Sequence, residues 1–205
     1  MNIKLTTLCA ILMSFLPLVS CAQHHSKKGL DMNGKKVLVA FFSRADENYN
    51  VGYIEKGNTQ IIAEMIAEET GGTLFHIETV TSYPANYTKC IEVAKKELNT
   101  KVRPAIKGDT QVEDYDIVFL GYPNWWGDAP MAVYTFIEKH DWQGKTVIPF
   151  CTHEGSGLGS TENKLENACK GANFLKGLAI QGATAQNRQT QAKQSVMNWL
   201  GKLNF

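Results

Sequence analysis

Five short apolar segments alternate along the chain with segments of helical periodicity, and this alternation restricts the folds open to it. The first, 37–42, reads Val-Leu-Val-Ala-Phe-Phe, as expected for a strand buried on both faces. Repeated strand–helix units predict a parallel sheet with helices on both faces. Further strands are predicted at 73–79, 116–121, 146–151 and 174–180, with helices beginning near 60, 84, 131, 160 and 186.

Two doubly wound arrangements fit this order of elements. No G-x-G-x-x-G motif follows the first strand, which argues against a dinucleotide-binding domain. Residues 35–205 are therefore predicted to form an α/β fold, a doubly wound five-stranded parallel sheet in a three-layer α/β/α structure, with strand order 2-1-3-4-5. Pro149 cannot donate to a strand ladder, so it is expected to mark a bulge or a strand end. Ligands of such sheets bind beyond the carboxyl ends of the strands, so the loops after strands one, three and four are the ones to examine.

The first twenty residues differ from the rest of the chain. Lys4 precedes an uncharged, mostly apolar stretch at 5–19, which is typical of a secretory signal. The end of this stretch, Leu-Val-Ser-Cys, resembles a bacterial lipobox and implies cleavage before Cys21 and lipid attachment to its sulfur. Residues 21–34 then form a predicted polar tether. We expect export and anchoring on the periplasmic or cell-surface side, with plain secretion or a retained anchor as alternatives.

Charge and cysteine content exclude several classes. Lysine and arginine total 21 against 20 acidic residues, without a basic stripe, so no nucleic-acid partner is expected. The cysteines show no C-x-x-C spacing, so no metal site is expected. Cys90, Cys151 and Cys169 are predicted to be buried thiols, although a disulfide between the last two remains open.

The loop after strand one suggests an anion site. Ser43 and Arg44 follow the strand, and Asn58 and Thr59 open the next helix after an inserted stretch at 45–56. Polar side chains and free N–H groups at a helix N-terminus attract anions, which predicts a phosphate site. Ordinary capping of the helix by Asn58 or Thr59 is the alternative.

The other two loops suggest a planar ligand. Trp125 and Trp126 are adjacent, so at least one ring is predicted to be exposed and able to stack on a ligand, with protein contacts as the alternative. The loop at 152–160 is rich in glycine and lets backbone N–H groups approach a ligand, unless it is simply a flexible turn. His153 and Glu154 are candidate proton relays, although such loop side chains are more often solvated.

These motifs together resemble the flavodoxin-like proteins over residues 36–200, in particular a bacterial subgroup with a Ser-Arg…Gly-Asn-Thr loop. The resemblance implies FMN as the cofactor. We expect a backbone carbonyl or N–H group within 124–127 to form a hydrogen bond with flavin N5. The insertion 45–56, with Tyr49 and Tyr53, could fold over the flavin or contact a partner. The implied contacts are Ser43, Arg44, Asn58 and Thr59 at the phosphate; Pro123, Asn124, Trp125, Trp126 and Gly127 at the isoalloxazine; and Thr152, Gly155, Ser156 and Gly157 along its other side.

Three functions remain open at this stage. An electron-transfer protein would exchange electrons with a redox partner protein or a quinone, while an FMN reductase would use NAD(P)H or a quinone. A binding module that has lost its flavin is the third. The neutral composition weakens the carrier, since small carriers are often acidic, and the lack of a nucleotide motif weakens the reductase.

Overall fold

The computed structural model describes residue 32 and residues 34–204. The predicted signal peptide 1–20, the lipidation site Cys21 and most of the tether lie outside these residues, so these assignments stay predictions. Met32, near the end of the predicted tether, packs into the apolar core. Within the described ranges, none of the helices has the length and apolar character needed to cross a membrane.

The central sheet confirms the predicted fold class. Its strands run in the order β4-β1-β5-β6, and the fifth position is shared by β7 and β8, which both pair with β6. All these pairings are parallel, which gives the predicted order 2-1-3-4-5 with a divided fifth strand. The strands are β1 (Val37–Phe41), β2 (Asp46–Asn48), β3 (Gly52–Ile54), β4 (Thr73–His76), β5 (Ile117–Pro123), β6 (Thr146–His153), β7 (Asn173–Phe174) and β8 (Leu178–Gln181).

The helices cover both faces of the sheet because the central strands are apolar on both sides. Along β5, Phe119 packs into one cluster, whereas Val118 and Leu120 pack into the other, following the two-residue period of a strand. The first cluster lies under α1 and α6, and the second under α3 and α4. The helices are α1 (Asn58–Thr70), α2 (Tyr87–Thr100), α3 (Met131–Ile137), α4 (Thr161–Ala168), α5 (Gly182–Asn187) and α6 (Gln189–Leu200), with a short 3-10 turn at Val112–Asp114.

The division of the fifth strand lies opposite Pro149. Strand β6 itself continues through this proline, which pairs in register with Leu120 of β5. Between the last pair with β7 and the first pair with β8, β6 contributes two residues and the fifth strand contributes three, 175–177. The irregularity expected at Pro149 is therefore a bulge on the neighbouring strand, beside a residue without an N–H group.

Two local features were not predicted. The insertion 45–56 contains an antiparallel hairpin, β2–β3, in which Glu47 pairs with Tyr53 and Ile54 is buried. The C-terminal helix predicted at 186–200 is two helices, because the backbone leaves the helical conformation at Arg188.

Gly121 of β5 provides a test of the packing between neighbouring strands, because it pairs in register with Phe150 of β6. A Cβ added at Gly121 would lie 2.2 Å from Cζ of Phe150, a residue that is 1% exposed. We expect Gly121→Ala to lower the free energy of unfolding by about 1–3 kcal/mol through overpacking. Urea unfolding measures this change, and a variant as stable as the wild type would show that the Phe150 ring yields without cost.

Candidate cofactor site

A cleft of about 230 Å³ opens at the carboxyl ends of the parallel strands. The loops after β1, β5 and β6 meet there with the first turns of α2, so the predicted convergence of three loops is present. The sequence-predicted residues that line the cleft are Arg44, Asn58, Pro123, Asn124, Trp125, Trp126, Thr152, His153 and Glu154. The remaining predicted residues, namely Ser43, Thr59, Gly127, Gly155, Ser156 and Gly157, belong to the same loops but lie outside its lining.

The N-terminus of α1 presents free donors at this cleft. Ser43 Oγ accepts the N–H of Gln60 at 3.0 Å, a bond that leaves its own O–H able to donate. Thr59 Oγ1 lies 2.7 Å from Thr152 Oγ1 in a buried pair. The backbone N–H groups of Asn58 and Thr59 have no acceptor among the described residues. The first N–H groups of a helix carry its positive dipole end, so they can hold an anion.

Side-chain donors add to this anion site. Asn58 Oδ1 accepts from Gln186 Nε2 at 2.8 Å, which leaves the Asn58 amide group as a donor. Arg44 Nε is buried and has no hydrogen-bond partner in the described part of the chain. A buried donor without an acceptor is costly, so an anionic acceptor would relieve Arg44 Nε.

The Nη atoms of Arg44 have a different role from the one implied by the sequence. Nη1 donates to the carbonyl of Glu47 at 2.7 Å, and Nη2 donates to the carbonyl of Pro84 at 2.8 Å. These bonds connect the β2–β3 hairpin to the segment before α2. The two Nη atoms of Arg44 therefore shape the cleft, and its Nε is the nitrogen left without any hydrogen-bond partner among the described residues.

A tight turn presents the tryptophans. Trp125 and Asp128 exchange backbone hydrogen bonds of 2.8 and 3.1 Å, and the two residues between them have positive φ values of 57° at Trp126 and 76° at Gly127. Asn124 stabilises the turn, since its Oδ1 accepts from Gly127 N and its Nδ2 donates to the carbonyl of Gly157. A bulky residue at positive φ is uncommon, and such strained positions concentrate at ligand sites.

The two tryptophans differ in availability, as their adjacency predicted. Trp125 is half-buried and makes edge-to-face contacts with Phe42 and Tyr83 at 5.4 and 5.1 Å. Trp126 is 49% exposed, and its Nε1 donates to the carbonyl of Ile91 in α2. Trp125 therefore supports the loop from behind, while Trp126 offers the freer ring to a ligand.

The loop after β6 is internally bonded. His153 Nδ1 accepts the N–H of Gly155 at 2.9 Å, which requires the neutral ring with its proton on Nε2. Burial lowers the pKa of His153, against a smaller opposing effect of Glu154. Glu154 accepts from Ala183 N at 2.8 Å and from Asn50 Nδ2 at 3.0 Å, so this carboxylate joins loops rather than standing free as a proton relay.

The pH dependence of stability tests the state of His153. Because its pKa is lowered on folding, the neutral ring stabilises the protein above the ordinary histidine range, and this contribution is lost as the pH falls through the folded pKa. We expect the wild type to lose more stability between about pH 7 and about pH 5 than His153→Asn, whose amide oxygen keeps an acceptor without titrating. Urea unfolding at both pH values measures the difference, and identical pH dependence in both proteins would contradict the assignment.

Sequence reasoning missed the part of the cleft contributed by α2, whereas it left open that the insertion 45–56 folds over the ligand. Asn48, Tyr49, Tyr87, Cys90 and Ile91 all line the cleft. The order of elements could have indicated this contribution of α2. A helix that follows the second strand of a parallel sheet begins at the carboxyl edge, where the cleft lies.

The thiols and acidic residues show no further chemistry at this site. Cys90, Cys151 and Cys169 are free and buried, so the disulfide left open between the last two is not formed. Burial raises the pKa of Cys151 and Cys169 to about 12. Among the described residues, no group of three or more histidine, cysteine, aspartate or glutamate side chains is arranged to hold a metal ion.

Comparison with known proteins identifies the family. The flavodoxin family model matches residues 36–202. The chain belongs to the flavodoxin family. Proposed flavoproteins from Bacteroides eggerthii and Bacteroides uniformis are each 31% identical over 82% of this chain, with TM-scores of 0.65 and 0.66 and coverage of 96% and 99% of their own lengths. A flavoprotein from Lactobacillus acidophilus in complex with FMN, 19% identical over 76% of this chain and 99% of its own, shares the fold at a TM-score of 0.58. No curated protein gives a significant match.

Membership of the flavodoxin family confirms FMN as the expected cofactor, and the residues present fit it. The unpaired Arg44 Nε and the free N–H groups of Asn58 and Thr59 suit a phosphate. The exposed ring of Trp126 suits a planar ring system. The phosphate and the planar ring are the two ends of FMN, and the cleft has hydrogen-bond donors for the first and an aromatic ring for the second.

Proposed function

We propose that this member of the flavodoxin family binds FMN in the cleft and transfers electrons between a partner protein or quinone and a second redox partner. The observation that carries the proposal is the presence, in one cleft, of unpaired phosphate donors and an exposed aromatic ring. When bound, FMN supplies the reversible uptake and release of electrons. The protein contributes binding, orientation and control of solvent access.

The roles of the chain's own residues follow from their positions. The N–H groups of Asn58 and Thr59, with Arg44 Nε, would hold the phosphate. Trp126 would stack on the ring, and Asn124 would keep its turn in place. The Nε2–H of His153 would donate to an acceptor on the cofactor or its partner.

The charges at the cleft favour electron transfer over a reductase that uses NAD(P)H. Arg44 is the one lysine or arginine in the described lining, and its Nη atoms are engaged by backbone carbonyls. A dinucleotide carries two or three phosphates, whereas the further cation at the rim, Lys95, is not a lining residue and has its Nζ over the Trp126 ring, 4.7 Å from the centroid. A partner protein or a neutral quinone can bind without a second cation at the cleft.

The location of the protein is part of the proposal. The N-terminal sequence supports export and anchoring through Cys21, which would bring the cleft near membrane quinones and exported redox proteins. Pyridine nucleotides are scarce outside the cytoplasm, which agrees with the charge argument.

The experiment that tests the proposed function begins with purified residues 22–205. The protein should be yellow, or become yellow with added FMN, and release FMN on denaturation. It should then accept electrons from a chemical reductant and pass them to a quinone, while it oxidises NADPH no faster than free FMN does. A colourless protein that takes up no FMN would leave the non-redox binding module, and rapid NADPH oxidation would establish the reductase.

A further inference from the structure

The tip of the β2–β3 hairpin places an aromatic side chain at the cleft that its packing does not explain. Tyr49 is 61% exposed, and its ring meets Tyr87 of α2 at 5.9 Å. Both rings line the cleft. A large side chain left so exposed stabilises the fold little, so its position at the rim calls for another role.

One side of the hairpin is fixed to the start of α2. Glu47 Oε2 accepts the backbone N–H of Tyr87 and the Nδ2 group of Asn86, both at 2.8 Å. Arg44 joins the same two segments, through the carbonyls of Glu47 and Pro84. The hairpin is therefore held beside the aromatic residues of α2 by charge-assisted hydrogen bonds.

The tip of the hairpin is fixed to the opposite side of the cleft. Asn50 Nδ2 donates to Glu154 Oε2 at 3.0 Å, and Glu154 Oε1 accepts the N–H of Ala183 at 2.8 Å. The hairpin thus spans from the segment before α2 to the loop after β6. Tyr49 lies next to Asn50, in the part of the hairpin that crosses between these two attachments.

We infer that the hairpin is a cover of the cofactor site and that Tyr49 packs against the bound FMN. The inference rests on the proposed function, since it needs FMN in the cleft. Glu47 and Glu154 act as positioning residues for the cover. The insertion expected either to fold over the flavin or to contact a partner has the first role.

The inference predicts slower release of FMN with Tyr49 in place. Removal of a ring that packs on the cofactor should raise the FMN dissociation rate of Tyr49→Ala by roughly three- to tenfold. Tyr49→Phe keeps the ring and should release FMN at nearly the wild-type rate. Tyr53→Ala is the matched control, because Tyr53 lies on the same hairpin, is 73% exposed and is absent from the cleft lining.

The measurement uses the full chain loaded with FMN, and follows the recovery of FMN fluorescence after dilution. Faster release in Tyr49→Ala alone supports the cover. Equal rates for Tyr49→Ala, Tyr53→Ala and the wild type would overturn it while leaving FMN binding intact. Faster release in both alanine variants would also overturn it, since a general loosening of the hairpin would then be responsible. A wild type that binds no FMN would instead contradict the proposed function.

Discussion

A Gly57→Ala variant is expected to fold but to bind FMN about 100-fold more weakly. A Cβ at this position would lie 2.2 Å from Ser43 Oγ and 2.5 Å from the carbonyl oxygen of Arg44. The latter is backbone, so the segment before the hairpin must move away from the start of α1. Two charge-assisted hydrogen bonds to phosphate, each worth about 1.5 kcal/mol, would be lost, which corresponds to about 100-fold in affinity.

The contact with Ser43 and Arg44, rather than backbone strain, is the cause of this effect. Gly57 has φ of −66°, a value that alanine adopts freely. Gly201→Ala is the matched control. Gly201 has φ of −67°, the nearest atom to its added Cβ lies at 3.4 Å, and the residue is not part of the cleft lining. Calorimetric titration with FMN measures both variants. Equal affinities for Gly57→Ala and Gly201→Ala would remove the N-terminus of α1 from the site.

The second large effect concerns Asp128, which anchors the tryptophan turn. Its carboxylate is buried, and Oδ1 accepts from the Tyr134 hydroxyl at 2.7 Å and from Ala129 N at 2.8 Å. Asp128→Ala leaves both buried donors unpaired, at about 1–3 kcal/mol each. We expect a loss of about 2–4 kcal/mol in the free energy of unfolding, because partial relaxation and water recover some of the cost.

Lys164 allows the ion pair to be separated from these hydrogen bonds. Its Nζ lies 2.7 Å from Asp128 Oδ2, but its side chain is 44% exposed, so solvent screens the pair. Lys164→Met should therefore cost less than about 1 kcal/mol. Urea unfolding of both variants decides the matter, and a cost for Asp128→Ala no larger than that for Lys164→Met would refute the anchoring role.

The sheet was predictable because its strands are buried on both faces. An uninterrupted apolar run such as 37–42 or 117–121 has few other uses in a chain of this composition. The order of strands followed from the topology of doubly wound sheets and the missing dinucleotide motif. The hairpin at 46–54 was not predictable in this way, since its residues Asp-Glu-Asn and Gly-Tyr-Ile show no alternation of apolar and polar positions.

The location of the site was predictable, but the partners of its side chains were not. Sequence placed Arg44 near the cleft, yet two of its carbonyl acceptors, Pro84 and Ala85, lie 40 and 41 positions away along the chain. Glu154 stood out as a candidate proton relay, whereas its contacts with Asn50 and Ala183 are long-range and leave no local pattern. The exposure of one tryptophan of the adjacent pair could be predicted, but not that Trp126 is the exposed one.

Titration of the apoprotein with FMN and with riboflavin tests the account most directly. The two ligands share the planar ring, but only FMN has the phosphate. The donors available to this phosphate are Arg44 Nε and the backbone N–H groups of Asn58 and Thr59, which have no acceptor among the described residues. We expect one FMN to bind per chain, at least about 100-fold more tightly than riboflavin. Equal affinity for the two ligands, or the binding of neither, would contradict a cleft built for both ends of FMN.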